Sequence, residues 1–114
     1  MFSQEEINQI EKICRRVMIS LNGIDSLELS KTTKDPKILD ELSQDKDPDI
    51  RWRVAENPNT KPETLDVLSR DENSDVRRYV ARNLNTKSEI LDILSWDKNF
   101  DLRCGVASNP NTNP

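Results

Sequence analysis

Asp49, Asp75 and Asp101 recur at intervals of 26 residues, and each is followed two positions on by an arginine, Arg51, Arg77 or Arg103. Paired carboxylates can do general acid–base work. A ladder of guanidiniums can grip a phosphate backbone, and a ladder of aspartates can mimic one. An active site occurs once in a chain, however, and these groups occur in every unit. The recurrence therefore argues for packing. Stacked units bring like charges together, and arginine lies comfortably there only where aspartates of adjacent units alternate with it. Its planar fork can then bond a carboxylate and backbone carbonyls at once.

The rest of the catalytic repertoire is thin. The chain has no histidine, only two glycines and no glycine-rich loop. Its two cysteines, Cys14 and Cys104, lie far apart and make no CxxC pair, so neither a disulfide framework nor a protein-only metal site is expected. No enzymatic activity and no cofactor follow from these residues. Charge is balanced towards acid, with 17 basic and 21 acidic side chains and a formal net charge of -4. Residues 1–31 hold four of the basic and five of the acidic groups, so neither end is a basic arm and the bulk footprint of a nucleic-acid binder is missing. No stretch approaches the ~20 apolar residues of a membrane span, and no signal-peptide pattern is recognisable, which makes the cytoplasm the expected location.

The elements that must position these groups are written in the repeat itself. The stretch from Leu42 to Val67 is spelled again from Leu68 to Ile93 and begun a third time from Leu94. Leu42, Ser43, Asp45, Asp49, Arg51, Val54, Ala55, Asn57, Asn59 and Thr60 coincide with identical residues in both later copies. A fixed period in the twenties to forties marks a solenoid, where each unit buries its apolar face only against its neighbours. A thin, one-dimensional core also suits a chain that is 33% hydrophobic and 33% charged.

Each unit divides into two short helices. Thr60-Lys61-Pro62-Glu63 and Thr86-Lys87-Ser88-Glu89 read as capping boxes opening the first, which carries Leu65 and Leu68, or Leu91 and Leu94. The second starts near Asp47-Pro48-Asp49, Asn73-Ser74-Asp75 and Asn99-Phe100-Asp101, with an acid in its first turn to complement the helix dipole. Ile50, Val54 and Ala55 face inward. Asn57 and Asn109 precede prolines and read as left-handed C-terminal stops. Pro36, Ile38, Leu39 and Leu42 repeat the spacing of Pro62, Thr64, Leu65 and Leu68, so a half-repeat begins near Thr33. Upstream, Ser3 and Glu6 make a capping box, and Ile7, Ile10, Cys14, Val17, Met18 and Leu21 form one apolar stripe that Gly23 would end. The expected fold is all-α: a short α-solenoid of about three 26-residue two-helix repeats, units 42–67, 68–93 and 94–114 within residues 32–114. Residues 1–31 form an N-terminal helical cap over the first repeat, and the whole is one domain.

These residues resemble a known family. Leu-Ser-x-Asp, then Ile/Val/Leu-Arg-x-x-Val-Ala-x-Asn-Pro-x-Thr, then Pro-Glu-x-Leu is similar to the bacterial leucine-rich repeat variant, a short HEAT-like repeat, from about Thr33 to Pro114. The resemblance implies a right-handed superhelix that alternates an α-helix with a second, often 3₁₀, helix, and it implies no enzymatic activity. The units of 26 residues are slightly long for the family, and Leu84 stands where the Asn-Pro step is expected.

A solenoid repeats its packing residues and frees the others, so the positions where copies disagree are the candidates for binding. Trp52, Tyr79, Trp96 and Phe100 occupy such positions. Trp52 and Glu56 share a face with Arg78 and Arg82 of the next copy, and Arg53 and Tyr79 sit one step round. Trp52 and Arg78 are expected to lie together on a solvent-facing strip that does not support the stack. Aromatics and arginines of this kind are enriched at interface hot spots. Trp96 and Phe100 could instead close the C-terminal end of the stack. The expected role is a non-catalytic binding module whose partner is an unidentified protein. The alternatives are a nucleic-acid-binding HEAT-like module, with Arg70, Arg78 and Arg82 on phosphates, and a small acidic inhibitor of a nucleic-acid-handling protein.

Overall fold

The computed structural model describes residues 1–21 and 26–113, with side chains described outside 13–21. Among these residues the chain is all helical: α1 (Gln4–Leu21), α2 (Ser26–Thr32), α3 (Pro36–Leu42), α4 (Pro48–Glu56), α5 (Pro62–Leu68), α6 (Ser74–Arg82), α7 (Ser88–Leu94) and α8 (Phe100–Ser108). None of the helices is long and apolar enough to cross a membrane among the described residues.

Helix α2 packs on α4, α4 on α6 and α6 on α8, with the seven-residue helices α3, α5 and α7 between them in the chain and against their flanks. Helices this short are marginal alone, so burial against neighbours must hold them. The buried core supplies it. Leu39 and Leu42, Leu65 and Leu68, Leu91 and Leu94 come from the short helices, and Ile50, Val54, Val76, Val80, Leu102 and Val106 from the longer ones, in one cluster. Ala55 and Ala81 are fully buried where α4 meets α6 and α6 meets α8, because a methyl side chain lets the helix backbones approach. Both helices of each unit are α-helical, where the family resemblance implied a second helix that is often 3₁₀.

Local chemistry sets the helix starts. Asp35, Asp47, Asn73 and Asn99 are N-caps whose side chains accept hydrogen bonds from first-turn amides, and Pro36 and Pro48 open their helices where a missing N–H costs nothing. At the N-terminus the capping box forms as read: Glu6 N–H donates to Ser3 Oγ at 3.1 Å, and Ser3 N–H to Glu6 Oε1 at 3.4 Å.

Two expectations are corrected here. The Thr60 and Thr86 boxes do not form: the N-caps are Lys61 and Lys87, which give no side-chain cap bond. Thr60 Oγ1 turns back instead and donates to the Val54 carbonyl at 2.6 Å, as Thr86 does to Val80 at 2.7 Å, tying each loop to the end of the preceding helix. Asn57 and Asn109 are not left-handed, with φ, ψ of -66°, 125° and -80°, 125°. Their side chains have another task, described below. Of the α1 stripe expected to cap the first repeat, only the first side chains are described. Ile7 and Ile10 are exposed, and Lys12 reaches Glu41 at 3.8 Å. Helix α2, with Leu27 and Leu29 against the core, takes the place next to α4. The side chains of Cys14, Val17, Met18 and Leu21, and Gly23, lie outside the described residues.

Candidate binding surface

Two ladders run through the stack and define what is scaffold. Arg51 Nε and Nη2 donate to both oxygens of Asp71 at 2.8 and 3.2 Å, while its Nη1 donates to the carbonyls of Asp45 and Lys46. One unit on, Arg77 does the same with Asp97 and with the carbonyls of Asp71 and Glu72. Each guanidinium therefore clamps its own turn to the turn of the next unit. The carboxylate is the turn aspartate, Asp71 or Asp97, rather than Asp49, Asp75 or Asp101, which are exposed. The hydrogen bond to Asp71 pushes the Arg51 guanidinium further up from its ordinary value. Burial pushes the Asp97 carboxyl up, but hydrogen bonds from Arg77 and from the Asn99 amide outweigh it and hold Asp97 below 3.8.

The second ladder is made of buried asparagines. Asn83 Nδ2 donates to the carbonyls of Ala55 and Asn57 at 2.7 and 3.0 Å, and Asn109 Nδ2 to those of Ala81 and Asn83 at 2.9 and 3.0 Å. Asn57 starts the series on Ser30 and Thr33. Each amide bonds two carbonyls at the end of the preceding packed helix, and those of Asn57 and Asn83 also accept from the backbone amides of Thr60 and Thr86. The side-chain oxygen accepts from the amide two residues on, closing an Asx turn.

Against this scaffold the variable residues fall in separate places. Trp52, Arg53, Arg78 and Tyr79 come together. The rings of Trp52 and Tyr79 stack with centroids 4.7 Å apart and planes 18° from parallel. The Arg53 guanidinium lies 4.1 Å from the Trp52 ring centre and that of Arg78 5.2 Å from Tyr79. The four side chains thus touch in the order Arg53, Trp52, Tyr79, Arg78. Asp49 accepts from Trp52 Nε1 at 3.2 Å, and Asp75 pairs with Arg78 at 3.3 Å. Arg53 Nε and Arg78 Nε are buried without a hydrogen bond; the electron-rich ring faces compensate them in part.

This group is half-buried and packs on the core, which corrects the expectation that Trp52 merely decorates the stack. Arg82 sits elsewhere, at the end of α6 beside α8, where it lines a cleft with Leu84, Cys104 and Gly105. Glu56 is exposed at the end of α4. Trp96 and Phe100 are 89% and 68% exposed, so they do not close the end of the stack. Phe100 carries Arg103 over its ring at 5.7 Å.

No protein-family model, curated protein or solved structure matches this chain. The repeat and its geometry therefore carry the functional argument.

Proposed function

We propose that the chain is a right-handed α-solenoid of about three 26-residue repeats, of the leucine-rich variant type, and that it serves as a non-catalytic module binding another protein. One observation carries this reading. The residues that recur in every unit are consumed by packing: Arg51 and Arg77 by turn aspartates, Asn83 and Asn109 by backbone carbonyls. The residues that vary bring aromatic rings and guanidiniums to the outside of that scaffold, in the Trp52–Tyr79 group and in exposed Arg82, Trp96 and Phe100. Rigid aromatics beside planar donors supply apolar area and directional hydrogen bonding at little entropic cost, as at interface hot spots. The cytoplasm suits a chain with two distant cysteines and no disulfide framework.

The test is a comparison of ligands. The intact chain, immobilised, should retain a protein partner from source-cell extract. Trp96→Ala with Phe100→Ala, or Arg82→Ala, should reduce that retention with the melting temperature unchanged. Micromolar chain should show no measurable retention on duplex or single-stranded DNA at physiological salt. DNA binding that weakens steeply with added salt would replace this reading with phosphate recognition.

A further inference from the structure

The cleft between the end of α6 and α8 is a second feature, distinct from the Trp52–Tyr79 group, and it is lined by Arg82, Leu84, Cys104, Gly105, Ser108 and Pro110 in a volume of about 320 Å³. We propose that it receives an acidic residue and a neighbouring aromatic side chain from a protein partner, the carboxylate on Arg82 and the ring on the floor at Gly105. This deepens the protein-binding reading and rests on it.

The guanidinium of Arg82 is the starting point. The other arginines with described side chains are held, by carboxylates of Asp66, Asp71, Asp75 or Asp97, by backbone carbonyls, or on ring faces. Arg82 alone among them has no hydrogen bond, ion pair or ring contact, and it is exposed at the mouth of the cleft. An unpaired planar cation beside a cavity is matched by a carboxylate, which it can bond in bidentate fashion.

The floor is the stem of Arg82, which lies over the place of a missing side chain. The column that holds Arg53 and Tyr79 in the first two units holds Gly105 in the third. A Cβ there would lie 3.2 Å from Arg82 Cγ and 3.5 Å from the Ala81 methyl, so the arginine stem rests directly against the glycine. The walls add apolar surface, with Leu84 67% exposed and Pro110 opposite in the same cleft. A flat floor, an apolar wall and one free cation suit an aromatic ring attached next to an acid. Within the chain itself, arginines bind in these two ways and no others besides carbonyls: forked onto carboxylates, or laid on rings. The cleft offers both modes at one arginine. The volume lies at the lower end of ligand pockets, about 300–1,000 Å³, which fits one side-chain pair and not an extended ligand.

Titrating the intact ¹⁵N-labelled chain with acetyl-Asp-Phe-amide tests this by two-dimensional NMR. Saturable shifts should gather at the amides of Leu84, Gly105 and Ser108. Acetyl-Asn-Phe-amide and acetyl-Asp-Ala-amide, lacking the charge or the ring, should bind about tenfold more weakly, the factor that one good interaction commands. Arg82→Met, which keeps the stem and removes the charge, should abolish the shifts. Gly105→Tyr, which copies Tyr79 into the third unit, should fill the cleft and do the same. Absence of saturable shifts, or shifts undiminished in Arg82→Met, would overturn the proposal. Shifts gathered at Trp52 and Tyr79 would also overturn it while leaving the protein-binding reading intact. Shifts at the cleft produced by an oligonucleotide and not by the peptide would overturn both.

Discussion

Trp52 and Tyr79 are 27 positions apart in the chain, yet their rings stack at 4.7 Å, one from α4 and one from α6. The offset is one repeat plus one residue, so the contact runs diagonally between neighbouring helices. It joins the aromatic of one unit to that of the next, and each ring also meets the arginine beside it in sequence, Arg53 at Trp52 and Arg78 at Tyr79. The apolar faces that looked available to a partner are therefore partly spent on each other.

Trp52→Ala should consequently destabilise the fold, by about 2 kcal/mol, less than the 3–5 kcal/mol typical of a fully buried tryptophan because this one is only half-buried. Combined with Tyr79→Ala in a double-mutant cycle, the two should couple by about 0.5–1.5 kcal/mol. Urea unfolding of the four chains measures both quantities. Strict additivity would mean the rings only pass near each other.

Val80 is fully buried at the centre of α6, with helices packed on both sides. Val80→Asp should unfold most of the chain, since a carboxylate there has no partner and no water. Circular dichroism at 25 °C would register the loss of helix, and a wild-type melting curve would show that the inward face is misplaced.

The asparagine ladder gives a sharper comparison. Asn83→Ala takes the side-chain donor from the buried Ala55 carbonyl and one of two donors from the Asn57 carbonyl, and should cost about 2 kcal/mol. Asn85→Ala removes bonds to the Pro58 and Thr60 carbonyls at a more exposed position and should cost about 1 kcal/mol or less. Equal losses in denaturant melts would argue that burial does not set the difference.

Stability should fall in acid partly through Asp97. Its folded pKa lies below 3.8, so its contribution is present in full above that value and is lost as pH falls through the lower, folded pKa. Arg51 is raised, so its contribution is complete below the ordinary guanidinium range and is lost only in extreme alkali, adding no slope near neutrality. In Arg77→Met, which removes the donor to Asp97, the acid limb of the stability profile should flatten. An unchanged limb in thermal melts between pH 2 and pH 5 would assign the acid sensitivity to other carboxylates.

Periodicity by itself determined the division into short helices, their inward leucines, valines and alanines, and the capping by Asp47, Asn73 and Asn99. These are local or strictly repeated demands, and a residue that recurs every 26 positions must meet the same surroundings each time. Recurrence also showed that Arg51, Asp71 and Asn83 matter without showing how. Only the tertiary structure decided that Arg51 takes Asp71 rather than a helix aspartate, and that Asn83 reaches across to carbonyls of the previous unit while its own backbone stays extended. Both choices depend on how far one unit is displaced from the next, a distance that no spacing along a single chain contains. The same holds for the variable residues. The sequence placed Trp52 opposite Arg78 by counting one period, whereas the packed helices bring it against Tyr79, because side chains on adjacent helices interlock diagonally. Gly105 carries no signal of its own in the sequence, and only the fold sets the Arg82 side chain across it.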